Sequence, residues 1–188
     1  MTDEKRDFMR DVMILVDTRE QQNRHITASL EGMGVSWVQS KLDYGDYSFI
    51  MQDKKRGKAK DFSRSCVIER KANVGELYGN VISDRGRIEK EFDTVRHNAT
   101  QCTLLLENCA SWDDLRSYEI SDSQMQAQAR KVKNIGAVVY ATLRAWQCGY
   151  RYGFQVEFVK DKNRSAAKIM ELFFWYWHNY KKQTAARR

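Results

Sequence analysis

Three consecutive charged residues, Glu69, Arg70 and Lys71, end an apolar run that has the pattern of a buried strand. Side chains alternate along a strand, so Glu69 and Lys71 project from one face and Arg70 from the other. A buried carboxylate and ammonium group are costly to desolvate unless they pair or meet a metal and a substrate. Phosphodiester hydrolysis uses both groups, with Glu69 as a ligand of Mg²⁺ and Lys71 positioning water or neutralising the developing charge. The run therefore predicts a metal-dependent hydrolytic site.

Further carboxylates lie at predicted strand ends, and Mg²⁺ is rarely held by one carboxylate alone. Asp46 opens a strand directly after Gly45, Asp17 ends the first strand, and Glu20 follows one turn later. If these strands are neighbours, Asp17, Asp46 and Glu69 converge on one cation. The spacing equally allows Asp46 as a turn residue, Asp17 as a helix N-cap and the Glu69 pair as a solvated strand edge.

The elements that must position these residues follow from changes in hydrophobic period. Strands are predicted at residues 12–16, 35–39, 47–51, 66–71, 103–106 and 154–159, and helices at residues 26–33, 76–83, 87–98, 124–133, 137–148 and 165–180. Ser165 is the predicted N-cap of the last helix, residues 53–64 form a polar loop, and residues 181–188 form a frayed basic tail. Alternating strands and helices predict a mixed α/β sheet with helices on both faces.

Composition narrows the class of protein. The 188 residues suit one domain, here residues 1–188 with a core at 12–180, and 42% hydrophobic with 30% charged residues indicates a soluble globular chain. The net charge of +7 favours a polyanionic partner without specifying nucleic acid. Four cysteines without zinc-site spacing predict buried reduced thiols. The absence of a signal-length or membrane-spanning apolar run leads us to expect an intracellular protein that is neither secreted nor membrane-bound.

Three ordered motifs resemble those of a known family. They are Val-Asp-Thr-Arg-Glu at 16–20, Gly-Asp-Tyr at 45–47 and Val-Ile-Glu-Arg-Lys at 67–71. Together they resemble the XPF-type, or excision-repair, nuclease domain of the restriction-endonuclease-like superfamily. That family carries Val-Asp-x-Arg-Glu, then Gly-Asp, a spacer and Glu-Arg-Lys-x-x-x-Asp. The resemblance continues through residues 87–91, similar to the family's Arg-hydrophobic-x-x-Gln helix, and spans residues 12–180.

The resemblance implies a restriction-endonuclease-like α/β fold with a central mixed sheet flanked by helices on both faces. It also implies a DNA endonuclease of repair or recombination that uses Mg²⁺, or Mn²⁺ in its place, on flap, fork or otherwise branched DNA. The residues that it implies at the site are Asp17, Asp46 and Glu69 as metal ligands, Lys71 as the catalytic lysine, and Arg19, Glu20 and Arg70 in support, with Arg70 behind the site.

Two positions depart from the family pattern. The family's final Asp falls on Gly75 here, and Glu76 follows it as a candidate replacement at the start of a helix. The second departure is Glu91, which stands where the family has Gln and adds negative charge if it faces DNA. Neither departure changes Asp46, Glu69 or Lys71.

Basic residues supply candidate phosphate contacts, which carry no sequence preference. The loop between Asp46 and Glu69 is rich in Lys and Arg. Because both flanking residues are predicted metal ligands, its tip is expected close to the metal centre, although a solvated mobile loop is an equal alternative. The candidate DNA contacts are Arg19, Lys54, Lys55, Arg56, Lys58, Lys60, Arg85 and Arg87.

Aromatic residues crowd the last predicted helix beyond what one core face needs: Phe173, Phe174, Trp175, Tyr176, Trp177 and Tyr180. The excess predicts a homodimer interface, with base stacking as the weaker interpretation. Family members commonly pair through the nuclease domain and a helix-hairpin-helix module. No such module is present in this sequence, so we expect pairing through the nuclease domain itself. The three histidines are assigned to surface or core packing.

Two functions compete with an active structure-specific nuclease. One is a catalytically inactive nuclease-fold subunit that places a partner on DNA. The other is a restriction or junction-resolving nuclease of the same superfamily. The presence of Asp46, Glu69 and Lys71 argues against the inactive subunit, because such a subunit has no need of that set.

Overall fold

The computed structural model describes residues 2–53, 57–98, 101–128, 131–148 and 152–186. The strands are β1 (Val12–Asp17), β2 (Ser36–Ser40), β3 (Tyr47–Asp53), β4 (Lys58–Asp61), β5 (Cys66–Lys71), β6 (Gln101–Glu107) and β7 (Phe154–Val159). The helices are α1 (Asp3–Asp11), α2 (Arg24–Gly32), α3 (Val74–Ile82), α4 (Arg85–Asn98), α5 (Trp112–Ser117), α6 (Asp122–Gln126), α7 (Ile135–Cys148) and α8 (Ser165–Ala186), with a short 3-10 helix at Lys162–Arg164.

One seven-stranded sheet, in the order β2-β1-β3-β5-β6-β7 with β4 beside β3, organises the chain. The pairs β1–β2, β5–β6 and β6–β7 are parallel, whereas β3 runs antiparallel to β1, β4 and β5. The carboxyl ends of β1, β5, β6 and β7 therefore meet the start of β3 at one end of the sheet. We call it the Glu69 end, and every predicted metal ligand lies there.

Helices cover both faces of the sheet, as the alternation of elements predicts. On the α3 face, Val67, Leu104 and Leu106 pack with α3, α4, α5 and α7. On the α8 face, Ile68 and Leu105 pack with α1, α2 and α8. Neighbouring residues of β5 and β6 thus enter opposite cores, which is the period-two pattern of a strand buried on both sides.

Several elements differ from the expectation. The charged start forms α1, because Thr2 caps the helix and Phe8, 1% exposed, packs on α8. The polar loop at 53–64 contains β4, and α6 ends at Gln126 rather than continuing to 133. The expected tail is helical to Ala186. Ser165 already has helical angles and is not an N-cap, because the 3-10 helix precedes it.

The last helix is α8, 22 residues long. Its aromatic residues are grouped in the middle of the helix, at 173–177 and at Tyr180. Over the part of the chain that the structure describes, no helix combines the length and the apolar character needed to cross a membrane.

Candidate active site

The Glu69–Lys71 pair lies on a central strand whose six residues are all buried. Glu69 is 5% and Lys71 6% exposed, and the Lys71 Nζ lies 2.6 Å from the Glu69 Oε1. Burial would lower the pKa of Lys71, but the carboxylates of Glu69, Asp46 and Glu76 together outweigh burial and leave that pKa raised. The interpretation as a solvated strand edge is therefore wrong, and the site holds a charged ammonium group in its interior.

Asp46 is brought to the same place by a turn that requires glycine. Gly45 has a φ of +73°, and a Cβ there would lie 3.0 Å from the Cβ of Val67. The Asp46 N–H donates to the Ile68 carbonyl at 2.8 Å, and its Oδ2 accepts from the Arg70 N–H at 2.7 Å. Burial, and then the negative charge of Glu69, raise the pKa of Asp46 well above its usual value. Asp46 and Glu69 thus form a repelling carboxylate pair.

Asp17 is fully buried, but its carboxylate is already engaged. Its Oδ1 accepts from the Arg19 N–H at 2.8 Å and the Arg19 Nε at 2.6 Å, and its Oδ2 accepts from the Leu42 N–H at 2.7 Å. Burial would raise the pKa of Asp17, but these hydrogen bonds lower it overall. The N-cap interpretation is wrong, because Asn23 is the residue before α2. Metal ligation by Asp17 stays a prediction.

Arg70 lies behind the pair, on the α8 side of β5, as the alternation predicts. Its Nη2 donates to the Gln22 carbonyl at 2.7 Å and lies 3.5 Å from the Glu20 Oε1, while its Nη1 lies 3.3 Å from the Glu107 Oε2. Because the Arg70 N–H also holds Asp46, the fixed guanidinium anchors the strand that carries the site.

Two residues join this arrangement that the sequence did not identify. Glu107, 1% exposed, ends β6 beside Arg70, and its Oε1 lies 2.8 Å from the Nε2 of His25 on α2. We call Glu20, Arg70, Glu107 and His25 the Arg70 network. Glu107 was visible as the charged end of an apolar strand, whereas His25 gave no signal. The assignment of His25 to simple packing is therefore incomplete.

Glu76 lies in the first turn of α3, and its replacement of the family's final Asp stays a prediction. Asn73 caps α3, and the Glu76 Oε2 accepts from the Ala72 N–H at 2.8 Å. The Glu76 Oε1 lies 4.0 Å from the Lys71 Nζ. A helix-start carboxylate thus faces Lys71 even though Gly75 stands at the family position.

Glu91 brings a further negative charge to the site from α4. Burial, and then the charge of Glu69, raise its pKa. Its Oε2 is buried without a hydrogen-bond partner within the described part of the chain, and the Arg87 Nη1 lies 3.7 Å away. The Gln-to-Glu departure therefore faces inward, toward Glu69 and Lys71.

The donor set fits a divalent cation of the magnesium type. Mg²⁺ is usually held by one or two carboxylates together with waters and substrate phosphate oxygens. Asp46 and Glu69 supply two such carboxylates, and their mutual repulsion is what a cation relieves. No cluster of three or more His, Cys, Asp or Glu side chains suited to a metal occurs in the described ranges.

Of the candidate phosphate contacts, the three arginines lie near the site and the described loop lysines lie far from it. Arg19, 63% exposed along its side chain, sits on Asp17. Arg87 pairs with Glu91, and Arg85 pairs with Glu89 at 2.9 Å while its guanidinium lies 5.6 Å from the Trp146 ring centre. These arginines retain exposed surface.

The basic loop points away from the site, contrary to expectation. Strand β3 starts beside Asp46 and runs to the opposite end of the sheet, where Asp53 pairs with Lys58 and Met51 with Lys60. At about 3.3 Å per residue, Lys60 is about 13 Å and Lys58 about 20 Å from the start of β3. Lys54, Lys55 and Arg56 lie outside the described residues.

The aromatic residues of α8 are mostly core. Phe173 is fully buried and lies 4.8 Å from the Phe49 ring, and Phe174 is 7% exposed. Tyr176 and Tyr180 pack edge-on against Phe62. Trp175, 53% exposed, remains available for a partner. The dimer stays a prediction.

Comparison with known proteins assigns the family. A sequence model described as the ERCC4 domain matches residues 16–172, and no curated protein matches the chain. Two solved structures share the fold at a TM-score of 0.57: XPF from Aeropyrum pernix, 19% identical over 86% of this chain and 59% of that one, and XPF from Aeropyrum pernix in complex with DNA, 18% identical over 89% and 65%. The chain thus spans less than two thirds of their length. With its three motif blocks assembled at one end of the sheet, the chain belongs to the ERCC4 domain family, the XPF-type nuclease family that those motifs resemble.

Proposed function

We propose that this protein is a metal-dependent DNA endonuclease that hydrolyses phosphodiester bonds in flap, fork or otherwise branched DNA. The observation that carries the proposal is the buried Glu69–Lys71 pair beside the repelling carboxylate of Asp46. A buried ion pair with a further carboxylate beside it is costly to a fold, and such groups are typical of a site that acts on a ligand. A divalent cation and a phosphate are the ligands that satisfy all three.

Each residue has a role that its contacts support. Asp46 and Glu69 would hold Mg²⁺, or Mn²⁺ in its place, and the bound cation would polarise the scissile phosphate. The Lys71 ammonium group, which its surroundings keep protonated, donates hydrogen bonds to the attacking water or to a phosphate oxygen. Glu76, 4.0 Å from that ammonium group, retains Lys71 in the site when Glu69 turns toward the cation.

Arg70 and Asp17 act as supports in this proposal. The Arg70 N–H orients Asp46, and Glu20 with Glu107 fixes the guanidinium. Asp17 fixes Arg19, whose exposed guanidinium then binds a DNA phosphate.

The test is cleavage of labelled duplex, flap, fork and four-way-junction DNA with Mg²⁺ or with a chelator. Glu69→Ala and Lys71→Ala should each abolish metal-dependent cutting, whereas Glu119→Ala, which removes an exposed carboxylate between α5 and α6, should leave it unchanged. Cutting that survives Glu69→Ala would refute the site assignment. Binding without cutting of any substrate would favour the inactive nuclease-fold subunit, and symmetric cutting of the junction alone would favour the junction-resolving nuclease.

The setting of this activity is part of the proposal. We infer action inside the cell in DNA repair or recombination, and a homodimer formed through the nuclease domain with the exposed Trp175 of α8 at its interface. Light scattering at micromolar concentration should give a dimer mass for the wild type and a monomer mass for Trp175→Ala. A monomer mass for the wild type would refute the dimer.

A further inference from the structure

We propose that four cationic side chains at the Glu69 end, Arg24, Lys160, Lys162 and Arg164, bind the phosphodiester backbone of a DNA arm beside the cleavage site. We call them the basic rim. The proposal rests on the proposed function, since it names how the same site takes its substrate. The ligand is the nucleic-acid backbone, recognised through its phosphates and independently of sequence.

The sheet register places the rim beside the site. Lys71 pairs with Leu106, and Leu106 pairs with Phe158, so Lys71 and Phe158 lie in one row two strands apart. Lys160 follows Phe158 by two residues and lies just beyond β7 at the Glu69 end of the sheet. With strands about 4.8 Å apart and a rise of about 3.3 Å per residue, the Cα atoms of Lys71 and Lys160 are roughly 12 Å apart.

The start of α2 joins the rim from the α8 face. Arg24 precedes His25, which contacts Glu107, and Glu107 pairs across the sheet with Val159. Helix α2 packs against the 3-10 helix Lys162–Arg164, which brings Arg24 to the same part of the molecule as Lys162 and Arg164. The four cations therefore lie at the same end of the sheet, although Arg24 and Lys160 are 136 positions apart in the sequence.

The rim carries four positive charges and one negative charge, that of the exposed Asp161 between Lys160 and Lys162. All four residues are exposed, and none of them forms an ion pair across the ranges that the structure describes. Lys168, just beyond the rim, differs: Glu157 and Glu171 hold it at 3.5 and 3.1 Å. Exposed cations without acidic partners can displace counterions from a DNA backbone, whereas paired ones have that charge already cancelled.

The rim is also held in place. The Asp161 Oδ1 accepts from the Asn163 N–H at 3.0 Å, and the Asp161 carbonyl accepts from the Arg164 N–H at 2.8 Å. The 3-10 helix then continues directly into α8, so the cations stand on a fixed turn. Lys160 and Arg164 border a groove of about 590 Å³ between β7 and α8, which Asp161, Lys168 and Glu171 also line.

The spacing predicts which phosphates the rim contacts. A duplex rises 3.4 Å per nucleotide along each strand, so roughly 12 Å corresponds to about three or four nucleotides from the scissile bond. Glu69 and Lys71 share the α3 face with Val67, whereas Arg24 and the 3-10 helix lie toward the α8 face, so the bound DNA runs across the carboxyl ends of β6 and β7 to reach the rim. The basic hairpin β3–β4 lies at the opposite end and is not part of this path.

A matched pair of variants tests the rim. Lys160→Gln/Arg164→Gln removes two charges at the Glu69 end, and Lys58→Gln/Lys60→Gln removes two at the far end. Affinity for a fluorescent flap DNA is measured in chelator over a range of NaCl concentrations. The rim variant should weaken binding about tenfold and reduce the slope of log K against log salt by about 1.8, since two phosphate contacts are lost. The far-end variant should change affinity less than about twofold. If the two variants weaken binding equally, affinity depends on the overall charge of the protein and not on contacts of the rim, and the proposal is overturned.

A footprint on the wild-type protein keeps the test independent of variant folding. Bound DNA should protect Lys160 and Lys162 from acetylation, measured by mass spectrometry, and leave Lys58 and Lys60 reactive. Reactive rim lysines in the complex would refute the proposal. The two proposals can fail separately. If the protein binds DNA through the rim but cuts none, only the proposed nuclease function is refuted. If it cuts DNA but the rim lysines stay reactive in the complex, only the rim is refuted.

Discussion

Replacement of Glu107 by alanine is expected to destabilise the protein more than loss of any surface carboxylate. The Glu107 side chain is 1% exposed and that of Arg70 4% exposed, and one carboxylate contacts both Arg70, at 3.3 Å, and His25, at 2.8 Å. Removing one partner of a buried ion pair costs about 3–5 kcal/mol because the other charge is left without compensation. Arg70 keeps Glu20 and the Gln22 carbonyl, so we expect the lower half of that range, about 3–4 kcal/mol.

The measurement is urea unfolding followed by tryptophan fluorescence in chelator, with the free energy of unfolding extrapolated to water. Glu107→Gln keeps one acceptor oxygen and should lose about 1–2 kcal/mol. The control, Glu171→Ala, removes a half-exposed partner of Lys168 and should lose less than about 1 kcal/mol. A loss for Glu107→Ala within about 1 kcal/mol of the control, at an unchanged m-value, would refute the reasoning that the Arg70 network stabilises the site.

Three further predictions concern the site and the last helix. Burial and Glu69 raise the pKa of Asp46, so the native metal-free protein takes up a proton that the unfolded chain does not, and stability falls as pH rises from the unfolded to the native pKa. The free energy of unfolding of Asp46→Asn in urea should therefore equal that of the wild type below about pH 4 and exceed it at neutral pH. Equal free energies of unfolding for the two proteins at both pH values would contradict the repulsion between Asp46 and Glu69. Gly45→Ala should lose about 2 kcal/mol in urea, because Gly45 has positive φ and the new Cβ meets Val67; retention of full stability would show that the turn adapts. Phe173→Ala should lose about 3–5 kcal/mol in the same assay and Trp175→Ala less than about 1 kcal/mol, and the reverse order would contradict the described face of α8.

The central strand and its motif were predictable because burial and alternation leave a strong pattern. The run from Cys66 to Lys71 is apolar up to its charged end, and the observed strand has the predicted bounds. Helix α1 was not predictable in this way, since its nine residues bury only Phe8. Strand β4 has four exposed residues and hence no hydrophobic period at all.

Long-range geometry was the part that the sequence left open. The direction of the basic hairpin depends on β3 lying antiparallel between β1 and β5, and strand order is not encoded in local periodicity. The contact of His25 with Glu107 joins residues 82 apart, and no local spacing indicates it. The three motif blocks nevertheless predicted which residues meet at the Glu69 end.

The Arg70 network also bears on the order in which the site assembles during synthesis. Glu107 lies 37 residues beyond Arg70 and 82 beyond His25, and it occupies a strand that must pair in parallel with β5. Parallel pairing between distant segments forms late, after the loop-closure entropy of the intervening chain has been overcome. A nascent chain that has exposed all three motif blocks but not β6 therefore lacks the support for Arg70. The Glu69 end therefore stays incomplete until Glu107 has left the ribosome.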